Sequence, residues 1–191
     1  AMAFLTMGYH VFILRYSLKE ASKFPQPLDD AEEALSLIRE RSGEWGVIPD
    51  KIAVCGFSAG GHLAAALGTM GKIRPNAMVL GYPCITEDIC NSSTLATNVP
   101  ELASRVDAQT PPAFIFSTAN DATVPINSSL SFAKALSEKA VPFELHIFAD
   151  GSHGLSIATR ATCSGNEKAI NRPVSGWVSM CAQWLDKLFF E

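Results

Sequence analysis

Short, continuously apolar runs alternate with longer amphipathic segments along this chain, and this alternation restricts the fold more than any other feature of the sequence. Strands that are covered on both faces are expected to be continuously apolar, as in parallel sheets. The alternation therefore predicts an α/β fold with a mostly parallel sheet and helices on both of its faces. The predicted strands are His10–Tyr16, Lys51–Phe57, Ala77–Tyr82, Ala113–Thr118 and Phe143–Phe148, and the predicted helices are Leu28–Arg41, Ala59–Met70, Asn127–Lys139 and Val174–Phe190.

Length and composition favour one domain. The chain has 191 residues, of which 48% are apolar, and this is enough for a single domain with a sizeable core over residues 1–191. One segment, residues 84–110, interrupts the alternation because it is polar and rich in turn-forming residues. We expect it to form a functional loop or small lid rather than a linker, with no regular element beyond a short helix near Pro100–Val106.

Charge and hydropathy exclude several classes of protein. The formal net charge is −4 and no block of basic residues occurs, which argues against nucleic-acid binding. No apolar run is long enough to span a bilayer, and the amino-terminal residues lack the basic leader of a secretory signal. We therefore expect a soluble, cytoplasmic protein that binds small neutral partners and neither membranes nor nucleic acid.

The five cysteines indicate neither a disulfide framework nor a metal site. Their number is odd, and their spacing is unlike that of zinc ligands. We expect reduced thiols and no bound metal. A disulfide between Cys84 and Cys90, which flank a loop, is left as the less favoured alternative because nothing else points to an oxidising compartment.

The segment VCGFSAGGH places Ser58 between a predicted strand and a predicted helix. It matches the pattern G-x-S-x-G, in which a serine occupies a strained turn from strand to helix. Gly56 and Gly60 are both expected to lack side chains so that the strand and the helix can approach each other. The hydroxyl would then project at the carboxyl edge of the sheet, where open α/β sheets bind ligands. The pattern predicts that Ser58 is a nucleophile.

A serine hydroxyl needs a histidine base and a carboxylate, which in this motif follow in the order Ser, Asp or Glu, His. Asp121 follows the predicted strand Ala113–Thr118, and His153 follows Phe143–Phe148. Because the carboxyl ends of parallel strands share one edge, we expect Ser58, Asp121 and His153 to converge there.

Structural readings of the same residues stay open at this point. Asp121 alone could be a turn or cap residue, and His153 alone could be a loop histidine. Asp150 is a rival carboxylate, although its place three residues before His153 favours a turn former. For His62, one helical turn beyond Ser58, we expect packing or a hydrogen bond near the helix start. The two histidines at or within predicted strands, His10 and His146, are expected to be structural.

Four segments of the chain resemble the α/β-hydrolase superfamily. They are GFSAGGHLAA, FSTANDATVP, FELHIFADGSHGL and the terminal W-x(6)-WL pattern of Trp177–Leu185. Within the superfamily they are most similar to the small esterases grouped as acetyl esterases or acetyl-xylan-esterase-like lipases, and the likeness covers nearly the whole chain.

The resemblance implies a role for each site residue. Ser58 would be the nucleophile, Asp121 the orienting acid, His153 the general base, and the backbone N–H of Ala59 one donor of the oxyanion hole. It implies a serine carboxylesterase that hydrolyses short-chain, especially acetyl, esters, with plant-wall carbohydrate as one candidate substrate. No metal or organic cofactor is needed for this chemistry.

The chain departs from that family in one respect. An HGGG-type loop that supplies the second oxyanion donor precedes the corresponding segment in the family, and the sequence starts after it. We therefore expect an N-terminally truncated α/β-hydrolase fold, with a gap in the sheet beside Lys51–Phe57. The chain could be a fragment, the strand His10–Tyr16 could fill the gap, or a second copy could pair with the exposed edge. The last outcome, a homo-oligomer, is favoured.

Losing one oxyanion donor costs on the order of 3 kcal/mol of transition-state stabilisation. A second functional class therefore stays open, namely a non-catalytic or weakly active binding domain that retains the hydrolase fold. A peptidase is less favoured because the chain has no large added domain that would select peptides. A lipase for long acyl chains is less favoured because residues 84–110 are polar.

Overall fold

Four parallel strands form the centre of the protein and follow one another across the sheet in their chain order. They are β1 (Ala53–Phe57), β2 (Ala77–Gly81), β3 (Ala113–Thr118) and β4 (Phe143–Phe148). The computed structural model describes residues 1–18, 23–86 and 99–191, and the sheet lies within these ranges. Each strand pairs in parallel with the next, from Ala53 beside Ala77 in β1 and β2 to Thr118 beside Phe148 in β3 and β4. The predicted parallel sheet is confirmed.

Helices cover both faces of this sheet. In the described ranges they are α1 (Met2–Leu5), α2 (Gln26–Glu40), α3 (Ser42–Trp45), α4 (Ala59–Met70), α5 (Asn127–Glu138), α6 (Arg172–Ser175) and α7 (Trp177–Phe190), with 3₁₀ turns at Ala103–Arg105 and Glu167–Ala169. The helices α2, α4 and α5 pack on one face, and α1, α6 and α7 pack on the other. The predicted α/β architecture is therefore confirmed, and none of the helices described is both long and apolar enough to cross a bilayer.

Residue alternation along the two central strands divides the core into two layers. In β2, Met78 and Leu80 face the cluster beneath α2, α4 and α5, whereas Val79 faces the cluster beneath α7. All three side chains are buried, as expected for strands covered on both sides. In the second cluster the ring of Trp177 stacks on Phe116 with centroids 4.4 Å apart. This layer reaches the carboxyl edge of the sheet, so it supports the loops there.

The predicted strand His10–Tyr16 is wrong. Residues 10–16 have no strand structure, and no backbone ladder joins them to β1 within the described ranges. Phe12 packs against Trp45 instead, with ring centroids 5.3 Å apart, and the neighbouring Ile13 side chain is 76% exposed. An apolar run becomes a strand only when its backbone groups pair with a neighbour. The proposed filling of a gap by this segment is therefore not observed, and pairing of two copies at the β1 edge stays a prediction.

Two smaller expectations differ from the structure. The single predicted helix Val174–Phe190 is divided at Gly176 into α6 and α7. Helix α6 begins earlier than predicted, at Arg172, because the Asn171 side chain caps it by accepting a hydrogen bond from the N–H of Val174. Near Pro100–Val106 the chain forms one 3₁₀ turn rather than a longer helix. Residues 87–98 of the predicted loop or lid, Cys90 among them, lie outside the described residues. The lid therefore stays a prediction.

Candidate active site

The turn after β1 holds Ser58 in a backbone conformation that few residues adopt. Its φ is 54° and its ψ is −119°. The N–H of Ser58 donates to the carbonyl of Gly81 at 3.0 Å, and its carbonyl accepts from the N–H of His62 at 3.0 Å. Both backbone groups are therefore fixed, the first by strand β2 and the second by helix α4. The strained turn is maintained by its surroundings, and it sets the serine at the carboxyl end of β1.

One of the two predicted glycine roles is correct. A Cβ atom on Gly56 would overlap the backbone carbonyl group of Gly60, so the strand and the helix approach each other too closely here for any side chain. At Gly60 itself a Cβ would meet nothing within 4 Å, and the expectation for this glycine is wrong. Glycine is needed instead at the next position, Gly61, where a Cβ would lie 2.9 Å from the Cβ of Pro83, just beyond β2, and 3.3 Å from the carbonyl oxygen of Gly56.

Three side chains from three strand ends form a continuous line of hydrogen bonds. The Nε2 atom of His153 lies 2.8 Å from the Oγ of Ser58, and its Nδ1 lies 2.7 Å from Oδ2 of Asp121. With Nδ1–H donating to the carboxylate, Nε2 is left as the acceptor for the serine proton. The structure thus brings together the three residues that the sequence singled out, although 95 positions separate Ser58 from His153.

The Asp121 carboxylate is buried but has partners for both oxygens. Its side chain is 1% exposed, and Oδ1 accepts hydrogen bonds from the backbone N–H groups of Thr123 at 2.8 Å and Val124 at 3.0 Å. Such bonds stabilise an ionised carboxylate and fix its rotation. The rival carboxylate of Asp150 accepts instead from the Asn120 amide at 3.1 Å. Asp121 is therefore the acid that faces the imidazole.

We call residues 149–156 the histidine loop. Its backbone is held by side chains for which the sequence predicted no such role. Asn120 Oδ1 accepts from the N–H of Gly151 at 2.9 Å, and Thr118 Oγ1 donates to the Gly151 carbonyl at 2.7 Å. The amide of Asn171 donates to the carbonyl of Asp150 at 2.8 Å. The position of Asn120, directly before Asp121 at the end of β3, is the one signal that could have indicated such a role.

A small apolar group borders the serine on another side. The buried side chains of Cys84 and Val124 pack together with the partly buried Val99. The N–H of Cys84 donates to the Ser58 carbonyl at 3.3 Å, and burial raises the pKa of the Cys84 thiol. Beside Ser58 there is thus a small group of apolar side chains.

The other histidines have structural contacts. His62 is buried, its Nε2 lies 3.0 Å from the carbonyl of Pro100, and burial lowers its pKa, so its neutral ring donates this bond. His146 lies beside Glu144 at 3.1 Å. His10 lies beside Gly46. In the parts of the chain that the structure describes, no three His, Cys, Asp or Glu side chains are grouped as metal ligands.

The predicted oxyanion donor lies at the start of α4. Ala59 is the first residue of this helix, and the first amides of a helix have no partner inside it. This N–H belongs to the residue directly after Ser58, which is the position of an oxyanion donor in the G-x-S-x-G motif. The amino-terminal helix α1 packs through Ala3 and Phe4 against the cluster around Trp177.

Family models match two parts of the sequence. The model described as BD-FAE matches residues 1–80, and the model of the prolyl oligopeptidase family matches residues 91–167. An acetylxylan esterase from Xylanibacter ruminicola is 28% identical over 80% of this chain and 35% of its own length. The chain spans about a third of the length of the curated relatives that it matches first.

Solved structures match over almost the whole chain. An α/β-hydrolase enzyme from a Medee basin deep-sea metagenome library is 44% identical, with a TM-score of 0.91, over 98% of this chain and 75% of that one. An acetyl ester-xyloside bifunctional hydrolase from Caldicellulosiruptor lactoaceticus is 33% identical, with a TM-score of 0.83, over 99% of this chain and 75% of that one. The chain therefore belongs to the α/β-hydrolase superfamily and, within it, to a family of esterases, as its motifs predicted.

Proposed function

We propose that this chain carries the catalytic centre of a serine esterase that hydrolyses short-chain, especially acetyl, esters. The observation that carries the proposal is the hydrogen-bonded line from Asp121 through His153 to Ser58, with distances of 2.7 and 2.8 Å. A serine at a strained turn with a correctly oriented base is the arrangement that activates a hydroxyl at neutral pH.

The proposed reaction proceeds in two halves. Ser58 Oγ attacks the ester carbonyl while His153 Nε2 takes the hydroxyl proton, and the Ala59 N–H donates to the oxyanion. The imidazolium then donates this proton to the alcohol oxygen as the ester C–O bond breaks. The alcohol departs, and the acetyl group remains bonded to Ser58 Oγ. Water attacks the acyl-enzyme with the same histidine as base, releasing acetate and restoring the serine. Asp121 holds the imidazole in the tautomer that both halves need.

The acyl side of the substrate is proposed from the surroundings of the serine. Cys84, Val124 and Val99 form a small apolar group there, which supports a short acyl chain. For the alcohol side, the relatives named as an acetylxylan esterase and an acetyl ester-xyloside hydrolase support an acetylated sugar. We therefore propose acetylated carbohydrate, including that of plant walls, as the substrate class.

The first test compares p-nitrophenyl acetate, butyrate and octanoate as substrates for the wild type and for Ser58→Ala. Turnover should fall as the acyl chain lengthens, and the alanine variant should lose at least about 10⁴-fold in kcat. A fluorophosphonate should label the wild-type serine and leave Ser58→Ala unlabelled. A folded protein that neither labels nor turns over acetate would instead favour the alternative function, a binding domain without useful chemistry.

A peptide substrate is the second candidate, since the prolyl oligopeptidase model matches residues 91–167. A proline-containing p-nitroanilide peptide tests it beside p-nitrophenyl acetate. We expect serine-dependent cleavage of the ester and none of the anilide. The reverse preference would replace the esterase proposal with a peptidase.

A further inference from the structure

Tyr82 follows β2 directly and has a strained backbone. Its φ is 37°, in the left-handed region that side chains other than that of glycine rarely adopt. The N–H of Tyr82 donates to the carbonyl of Phe116 in β3 at 2.7 Å, so the neighbouring strand maintains this conformation. Tyr82 is 5% exposed, and its ring packs against those of Phe57 and Phe116, with centroids 5.8 Å from each. Strain that the surroundings maintain beside a reactive centre suggests a function for the side chain that it directs.

The Tyr82 ring packs against the imidazole of His153. Their centroids are 4.9 Å apart and their planes meet at 67°, an edge-to-face arrangement. Asp121 contacts the same imidazole at Nδ1, and Ser58 contacts it at Nε2. The two hydrogen bonds align the ring nitrogens, and the tyrosine packs against the imidazole ring itself.

The Tyr82 hydroxyl fixes the backbone of the histidine loop. It accepts a hydrogen bond at 3.0 Å from the N–H of Ser156, three residues after His153. The carbonyl of Ser156 accepts from the Trp177 indole N–H at 2.9 Å, so both backbone groups of this residue are held by aromatic side chains. Burial raises the pKa of Tyr82 to about 12, so the phenol stays neutral at ordinary assay pH.

We propose that Tyr82 is a positioning residue for the histidine, holding the imidazole with its ring and the following backbone with its hydroxyl. The inference rests on the proposed ester hydrolysis for its catalytic meaning. Tyr82 acts through His153, because its hydroxyl is engaged by Ser156 and its ring touches the base rather than the nucleophile. The residue comes from a strand that contributes neither the serine, the aspartate nor the histidine.

The kinetic test uses Tyr82→Phe, Tyr82→Leu and a matched control, Tyr9→Phe. In the control, the hydroxyl donates to Asp186 at 2.9 Å, far along the chain from the histidine loop. With kcat expressed per fluorophosphonate-titrated serine, Tyr82→Phe should lose roughly five-fold, the rate equivalent of one hydrogen bond. Tyr82→Leu should lose roughly 100-fold, as expected for a misplaced base. KM should change less than about two-fold in each variant, and Tyr9→Phe should match the wild type.

A second measurement does not depend on turnover. The exchange rate of the His153 Nδ1 proton with solvent, measured by NMR on the folded protein, should rise in both Tyr82 variants and stay unchanged in Tyr9→Phe. A residue that merely filled the core would lower the melting temperature without changing this rate or kcat per titrated serine. Because Tyr82→Phe keeps the buried ring, it carries the test even if Tyr82→Leu fails to fold.

The outcomes separate this inference from the proposed function. Faster proton exchange in the Tyr82 variants of a protein that hydrolyses no ester would support positioning and end the esterase proposal. Wild-type kcat per titrated serine together with wild-type exchange in both Tyr82 variants would overturn positioning and leave the esterase proposal intact.

Discussion

The histidine loop and the amino-terminal segment, residues 1–18, differ both in composition and in how they are held. The histidine loop is polar, and its backbone groups form hydrogen bonds with the side chains of Asn120, Thr118 and Tyr82. The amino-terminal segment is rich in apolar residues, and its side chains bind the rest of the protein at few points. Between Tyr9, bonded to Asp186, and Ser17, whose N–H donates to Asp30, three large apolar side chains are exposed. They are Phe12, Ile13 and Leu14.

This difference shows that apolar content alone does not place a segment in a sheet or a core. A backbone segment is fixed when its N–H and C=O groups find partners, and side chains from other strands can supply these as well as a ladder can. In the histidine loop the partners are Thr118 at the end of β3, Tyr82 and Asn120 just beyond β2 and β3, and Asn171 and Trp177 near the carboxyl terminus. Residues 10–16 form no ladder with any strand in the described part of the chain, although β1 is an edge strand.

The largest effect that we expect is a loss of turnover in Asp121→Asn. The amide oxygen can still accept from the N–H groups of Thr123 and Val124, so the loop should keep its shape. The amide NH₂ would then face His153 Nδ1 and favour the wrong tautomer. We expect a loss of about 10⁴-fold in kcat with little change in melting temperature. Steady-state kinetics and thermal unfolding test this, and near wild-type turnover would contradict the role proposed for Asp121.

A second effect separates the two glycines around the serine. Gly56→Ala would force a Cβ into the carbonyl of Gly60, and we expect it to cost about 3 kcal/mol or more of unfolding free energy. The matched change, Gly60→Ala, enters open space in the first turn of α4 and should cost less than about 0.5 kcal/mol. Urea unfolding of both variants provides the comparison, and equal losses would contradict the close approach at Gly56.

Shortening one apolar side chain in the histidine loop and one in the amino-terminal segment tests how tightly each region is packed. Leu155 is 3% exposed and Ile13 is 76% exposed. Leu155→Ala should lower the unfolding free energy by about 3 kcal/mol because it leaves a cavity beside Trp177. Ile13→Ala should change it by less than about 0.5 kcal/mol. A large loss at Ile13 would mean that the segment is buried in solution.

The smallest effect concerns pH and the single bond from His62 to Pro100. Burial lowers the pKa of His62 below its usual 6.5, so the unfolded chain binds this proton more readily than the folded one. The contribution of the neutral ring is complete above pH 6.5 and is lost as pH falls through 6.5 toward the folded pKa. His62→Gln removes the titrating group and should reduce the fall in stability below pH 6.5. An unchanged pH dependence in that variant would assign the fall to other groups.

Much of the sheet could be predicted from the sequence because its strands are covered on both faces. The bounds predicted for β3 and β4 are those observed, and α4 begins and ends where the pattern placed it. The same strand ends located Ser58, Asp121 and His153. In contrast, the need for glycine at position 61 rather than 60, and the contact of Tyr82 with His153, depend on contacts between elements distant in the sequence, which local periodicity does not report.

The order of the strands has a consequence for folding. Each strand pairs with the one that follows it in the chain, so the sheet can grow by adding neighbours one at a time. Ser58 follows the first strand, Asp121 the third and His153 the fourth, so no partial sheet of adjacent strands contains all three. Reactivity of the serine toward a fluorophosphonate during refolding would therefore report the docking of β4, and with it the completion of the whole sheet.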